Sequence, residues 1–225
     1  MADSSRFQPN ASLDVVGIGN AIVDVLVQTK DGFLSEHGLQ KGGMCLIDEQ
    51  QAEALYKSSG PGLETSGGSV ANTMVGIAQL GGRTGFIGRV RDDQLGSIFS
   101  HDIRAVGTRF ETPSATTGAT TARCLIYVTP DAERTMCTFL GASTQLAPED
   151  LDLSMVKETK VLYLEGYLWD SPAAKRAFIA AAEACRAAGG KVALSLSDGF
   201  CVDRHRGSFL ELVNGHVDVL FANEV

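Results

Sequence analysis

The pattern that most restricts this chain is the alternation of short apolar runs with longer helical stretches in its second half. Val161 to Leu164 reads as a strand. The Ser171-Pro172 cap opens a helix running to Ala188, with Gly189 behind it. Val192 to Leu196 is the next strand, a helix follows around Phe209 to Val213, and Val217 to Phe221 closes the series. Strands separated by helices pair in parallel, so the expected fold class is α/β. It is a doubly wound, mostly parallel sheet with helices on both faces.

The first half is read in the same way. Asp14 to Gly19 and Ile22 to Val27 are two consecutive strands. Asp48 with Gln51 makes a capping-box start for a helix through Tyr56, and Val70 to Leu80 is a helix ended by Gly81-Gly82. Thr84 to Val90 is a strand, followed by a helix whose apolar face holds Leu95, Ile98, Phe99, Ile103 and Val106. Gly118 to Val128 and Arg134 to Leu140 flank a turn-like linker, Thr129 to Glu133, and form a β-hairpin.

Composition excludes several classes. A formal net charge of -8 and a pI near 5.0 leave no basic stripe for nucleic acid. Residues 1 to 12 lack the regions of a signal peptide and no apolar run approaches a membrane span, so the cytoplasm is the expected location. Cys45, Cys124, Cys137, Cys185 and Cys201 show neither disulfide nor zinc spacing and read as buried thiols. His37, His101, His205 and His216 have no partner spacing and read as surface residues, and no metal site is expected.

The polar residues cluster where strands end: Gly19-Asn20, Glu165-Gly166-Tyr167, Ser197-Asp198 and Asn223-Glu224. In open parallel sheets that edge binds ligands. Gly17-x-Gly19 does not make a dinucleotide turn, because Ile22 stands at the third glycine and a strand follows where a helix is needed. No phosphate-cradling G-x-x-x-x-G-K-[ST] occurs either. Gly67-Gly68-Ser69-Val70-Ala71-Asn72 is different, since two glycines feed a helix whose first turn carries a hydroxyl and a carboxamide, with Ser69 placed to cap it. Such a turn suits a polyhydroxylated small molecule. Asp24 sits among apolar residues on the strand face of Ile22 and Leu26, a costly place for a carboxylate unless donors such as vicinal sugar hydroxyls satisfy it.

Together these stretches resemble the PfkB (ribokinase-like) carbohydrate and nucleoside kinase family, and its adenosine kinase branch in particular. The matching segments are Gly19 to Asp24, Gly67 to Asn72, Thr117-Gly118, Gly166-Tyr167-Leu168 with Ser171-Pro172, Leu196 to Phe200, and Val217 to Glu224. The resemblance implies that residues 1–225 are the N-terminal portion of a ribokinase-like kinase domain, with a small β lid from about 22–46 and 117–140. It implies that Asn20, Asp24, Gly67, Gly68 and Asn72 hold ribose hydroxyls with Ser69 beside them. Leu46, Thr120, Leu140, Ala142, Leu168 and Phe200 would form the slot for a base.

The reaction implied is transfer of the γ-phosphate of ATP to a nucleoside 5′-hydroxyl, adenosine above all, with Mg2+ near the phosphates and Asn223 toward the ATP. A free sugar as acceptor, or nucleoside binding without catalysis, are the alternatives. The family's aspartate base and glycine-rich anion hole lie in a segment beyond Val225, so no catalytic residue is expected in this chain, which alone is expected to be inactive.

Overall fold

A computed structural model describes residues 11–223, which fold around two sheets. The strands are β1 (Leu13–Ile18), β2 (Ile22–Gln28), β3 (Met44–Leu46), β4 (Gly62–Gly67), β5 (Thr84–Ile87), β6 (Arg109–Phe110), β7 (Ala122–Val128), β8 (Arg134–Phe139), β9 (Thr159–Glu165), β10 (Lys191–Ser195) and β11 (Val219–Phe221). The helices are α1 (Asp31–Glu36), α2 (Glu49–Ser58), α3 (Ser69–Gln79), α4 (Gln94–Ala105), α5 (Leu153–Lys157), α6 (Pro172–Ala187) and α7 (Gly199–His216).

The larger sheet has the order β11-β10-β9-β1-β5-β6, and every pairing in it is parallel. This is the expected doubly wound α/β fold. Strands succeed one another outward from β1 in one direction and from β9 in the other. The order therefore reverses between β1 and β9, the place where such sheets open a crevice for ligands.

Alternation along the strands divides the core. Val16, Ile18, Leu162, Leu164, Val192 and Leu194 point to one face and pack with Phe178, Ala181, Cys185 and Phe209 of α6 and α7. On the other face α3 lies against β1, and Val70, Met74, Phe86, Phe99 and Phe110 join the inward residues of the second sheet. Gly17 and Gly19 make the close approach of α3 possible, because a Cβ on either would lie 2.4 and 2.9 Å from Val70. Their spacing serves helix packing, in keeping with the rejection of a dinucleotide turn. Over β9 to β11 the same face stays open as an apolar cleft of about 350 Å3, lined by Val161, Tyr163, Ala193, Val219 and Phe221.

The second sheet, β3-β8-β7-β2-β4, is mixed. The predicted hairpin is its antiparallel pair β7 and β8, but β7 begins at Ala122 and not at Gly118. Thr120 and Thr121 make side-chain bonds to Glu49 and Asp93 ahead of the ladder. Five elements had no sequence signal, α1, β3, β4, β6 and α5, and α7 is far longer than the short helix expected around Phe209 to Val213. Cys45 is exposed, against the expectation of five buried thiols, because β3 is an edge strand. His205 is not a free surface residue, since its ring pairs with Asp170 and is largely covered. Among the described residues no helix is long and apolar enough to cross a membrane.

Candidate functional site

The crevice between β1 and β9 is closed by a buried carboxylate. Glu165, the last residue of β9, is 1% exposed. Its Oε2 accepts the Asn20 backbone N–H at 2.5 Å and the Asn20 Nδ2 at 2.8 Å. Ser69 donates its hydroxyl to the other oxygen, and the Val70 N–H also bonds to the carboxylate. Burial pushes the Glu165 carboxyl above the usual range, against the lowering effect of these donors. One side chain thus ties together the ends of two strands and the start of α3.

This overturns one sequence expectation. Ser69 is the first residue of α3, and its hydroxyl is committed to Glu165. The N-cap is Gly68, which has no side chain to offer the helix and holds φ at +102°. A Cβ there would lie 2.3 Å from the Asn20 carbonyl oxygen, so the turn is closed to any side chain. Asn20 is likewise committed: it is 2% exposed, and its Oδ1 accepts from the Ser143 hydroxyl at 2.8 Å.

Asp24 and Gly67 face each other directly. Antiparallel pairing of β2 with β4 places Ile22 opposite Gly67 and Asp24 opposite Thr65. The Asp24 carboxylate folds over Gly67 so closely that a Cβ on that glycine would meet its atoms at 2.4 to 2.6 Å. Desolvation pushes the Asp24 carboxyl up to about 6. A cleft of about 520 Å3 opens beside it, lined by Asp24, Thr65, Ser66, Asn72 and Asp102 among others. Asp102 is occupied in part by the Ser66 N–H at 3.1 Å. Asp24 and Asn72 therefore share one solvent-open cavity, and Gly67 lies against the Asp24 carboxylate at its side.

The residues expected to form the base slot are not brought together in this way. Ala142 and Leu168 are buried, at 0% and 1% exposure, and Leu168 belongs to the core beneath α6 and α7. Neither side chain reaches the surface in this arrangement. Leu46 is exposed on edge strand β3, and Phe200 projects from the first turn of α7 at 78% exposure. Leu140 is half-buried after β8, and Thr120 gives both its N–H and its hydroxyl to Glu49.

A second cleft, of about 470 Å3, lies past the ends of β10 and β11 and is lined by Ser195, Ser197, Asp198, Arg206, Phe221 and Asn223 among others. Ser197 holds φ at +71° without being glycine, a conformation that costs of order 1–3 kcal/mol and must be held by its surroundings. Its hydroxyl accepts the Tyr167 N–H at 3.0 Å. Asp198 is spent capping α7 through the Cys201 N–H at 2.7 Å. The residue that sequence reasoning passed over is Glu165: it was visible as a polar strand end, but nothing local showed that it would meet Asn20 and Ser69.

Comparison with known proteins agrees with this architecture. The family model for pfkB family carbohydrate kinases matches residues 60–225. Two bacterial crystal structures superpose with a TM-score of 0.85 over 95% of the chain and 65% of theirs. They are an adenosine kinase from Sinorhizobium meliloti at 52% identity and a probable sugar kinase protein from Rhizobium etli CFN 42 at 48%. Among curated relatives, probable fructokinase-4 of Arabidopsis thaliana is 30% identical over 54% of the chain and 38% of its own length. This chain belongs to the pfkB family of carbohydrate kinases. It spans less than two thirds of the length of each of these relatives.

Proposed function

We propose that this chain is the substrate-binding part of a kinase that transfers the γ-phosphate of ATP to the 5′-hydroxyl of a nucleoside, adenosine first among them. The observation that carries the reading is the half-buried Asp24 carboxylate lying across Gly67 beside Asn72. A carboxylate and a carboxamide on one cavity beside a turn without side chains offer acceptors and donors of the kind that vicinal ribose hydroxyls take. The 52% identity to a protein solved as an adenosine kinase supports the choice of nucleoside.

The second sheet would act as the lid, from about 22–46 and 117–140, with β4 as an added strand. A closed lid keeps water from the transferring phosphoryl group. Asn20, Gly68 and Ser69 then serve by shaping the turn, with Glu165 holding them, and Leu46, Thr120, Leu140 and Phe200 remain candidates for the base. In the second cleft Arg206, Asn223 and the hydroxyls of Ser195 and Ser197 supply donors that fit the phosphate end of ATP. Mg2+ would lie with those phosphates, and no residue of this chain is assigned to it. A cytoplasmic location fits a soluble substrate of this kind.

Thermal unfolding in the presence of ligands tests the reading. Adenosine should raise the melting temperature and fructose or ribose should not. A sugar kinase, the reading favoured by the fructokinase relatives, gives the reverse. Neither the aspartate base nor the glycine-rich anion hole implied by the family resemblance occurs in these 225 residues. A coupled ADP-release assay on this chain should stay at background, since a positioned base alone contributes about 10²-fold or more. Measurable turnover would overturn that expectation.

A further inference from the structure

Cys45 and Cys137 are register partners on the parallel pair β3 and β8, and their sulfurs lie 3.6 Å apart. Neighbouring strands run about 4.8 Å apart, inside the Cα separation a disulfide spans, so the bond can form with side-chain rotation and little backbone movement. We propose that Cys45 and Cys137 form a reversible disulfide that fastens edge strand β3 to β8 when the protein meets a hydroperoxide.

The two thiols differ in a way that orders the chemistry. Cys45 is exposed at the sheet edge, whereas Cys137 is 0% exposed in the core shared with Leu125 and Val25. Burial pushes the Cys137 thiol up to about 12, so it stays protonated and hidden from oxidant at neutral pH. The Cys45 sulfur attacks the peroxide, an S–O bond forms as the O–O bond breaks, and the hydroxide released takes the Cys45 proton to become water. Cys137 sulfur then attacks the Cys45 sulfenic sulfur. The S–S bond forms as the S–O bond breaks, and the departing hydroxide takes the Cys137 proton as a second water. Two thiols and one peroxide give one disulfide and two waters.

Cys137 has no comparable alternative. Cys124 projects from the opposite face of the same sheet, opposite Thr138, whose hydroxyl donates to its sulfur at 3.2 Å. Cys185 and Cys201 are buried in the core under the larger sheet. The surroundings of β3 also hold the pair in register: the Met136 N–H donates to the Gly43 carbonyl at 2.9 Å, and Lys41 pairs with Asp131 at 2.7 Å. The bond would lock an edge that is otherwise held by three residues of ladder.

Peroxide treatment of the full chain, blocking of remaining thiols and peptide mapping with trypsin tests this. Cleavage after Lys41, Lys57, Arg123, Arg134 and Lys157 places Cys45, Cys124 and Cys137 on three separate peptides. The expected product is a dithiothreitol-sensitive cross-link between peptides 42–57 and 135–157, lighter by two hydrogen atoms than their sum. Cys45→Ser should abolish it and leave Cys137 free to alkylate after unfolding, while Cys124→Ser should form it unchanged. A cross-link through Cys124, or sulfinic acid on Cys45 with Cys137 still a thiol, would overturn the proposal.

Discussion

Asp24 couples ligand binding to pH and to stability. Its carboxyl is raised to about 6 by desolvation, so the folded chain binds a proton that the unfolded chain has already lost. Stability linked to this group is full below the ordinary carboxylate range near 4 and is lost as pH rises through about 6. Asp24→Asn should therefore stabilise the unliganded chain at pH 7 by about 1–3 kcal/mol, read by urea unfolding. The same substitution should weaken adenosine binding by about 1–3 kcal/mol in calorimetry, because charge-assisted bonds to hydroxyls are lost. Unchanged affinity would return Asp24 to a purely structural role. In the wild type, affinity should fall between pH 7 and pH 5 as the acceptor is protonated. Gly67→Ala separates the glycine from its neighbour: β4 tolerates alanine, but the Cβ must expel the Asp24 carboxylate, so binding should drop about tenfold or more with the fold retained. Glu165→Gln presents an amide N–H₂ to a site surrounded by donors and should cost about 1–3 kcal/mol in unfolding experiments. No loss of stability would show that the carboxylate is not the tie described above.

At the scale of elements, the caps carry much of the arrangement. Asp93 caps α4 through the Gly96 N–H at 2.8 Å and also accepts from the N–H and hydroxyl of Thr121 at 2.9 and 2.7 Å. One carboxylate thereby fixes the start of a helix to the entry of β7. Asp93→Ala should cost about 2 kcal/mol, more than a simple cap, and should raise amide exchange in Thr121 as well as in the first turn of α4. An effect confined to α4 would contradict that coupling. Other capping signals were legible: Asp48 with Gln51, Ser171-Pro172 and the left-handed Gly81 all stand where the sequence placed them. β4 was not legible because Gly-Leu-Glu-Thr-Ser-Gly has no apolar alternation. Its outer residues are exposed, and it is a strand only through its ladder to β2. The first half of α7 was hidden for a similar reason, since Cys201 is its one buried residue before Phe209 and Asp203 to Ser208 carry no apolar side chain.

For the whole molecule, periodicity read the parallel sheet correctly because its strands are apolar on both faces. The site was legible in part: Asp24 and Asn72 were placed by motif and do share a cavity, whereas Ala142 and Leu168 were carried to the slot by position alone and lie in the core. What could not be read was adjacency. Glu165 meets Asn20 across 145 positions of chain, and only the reversal of strand order between β1 and β9 brings them together. The uncovered flank of β9 to β11, where Val219, Leu220 and Phe221 are 44%, 44% and 54% exposed, has a practical result. Environment-sensitive dyes should light up on the native chain before any heating, and a melting curve followed that way would start from a false plateau. Emission from Trp169, the single indole, stacked on Phe209 deep inside the other half of the molecule, would follow the true transition.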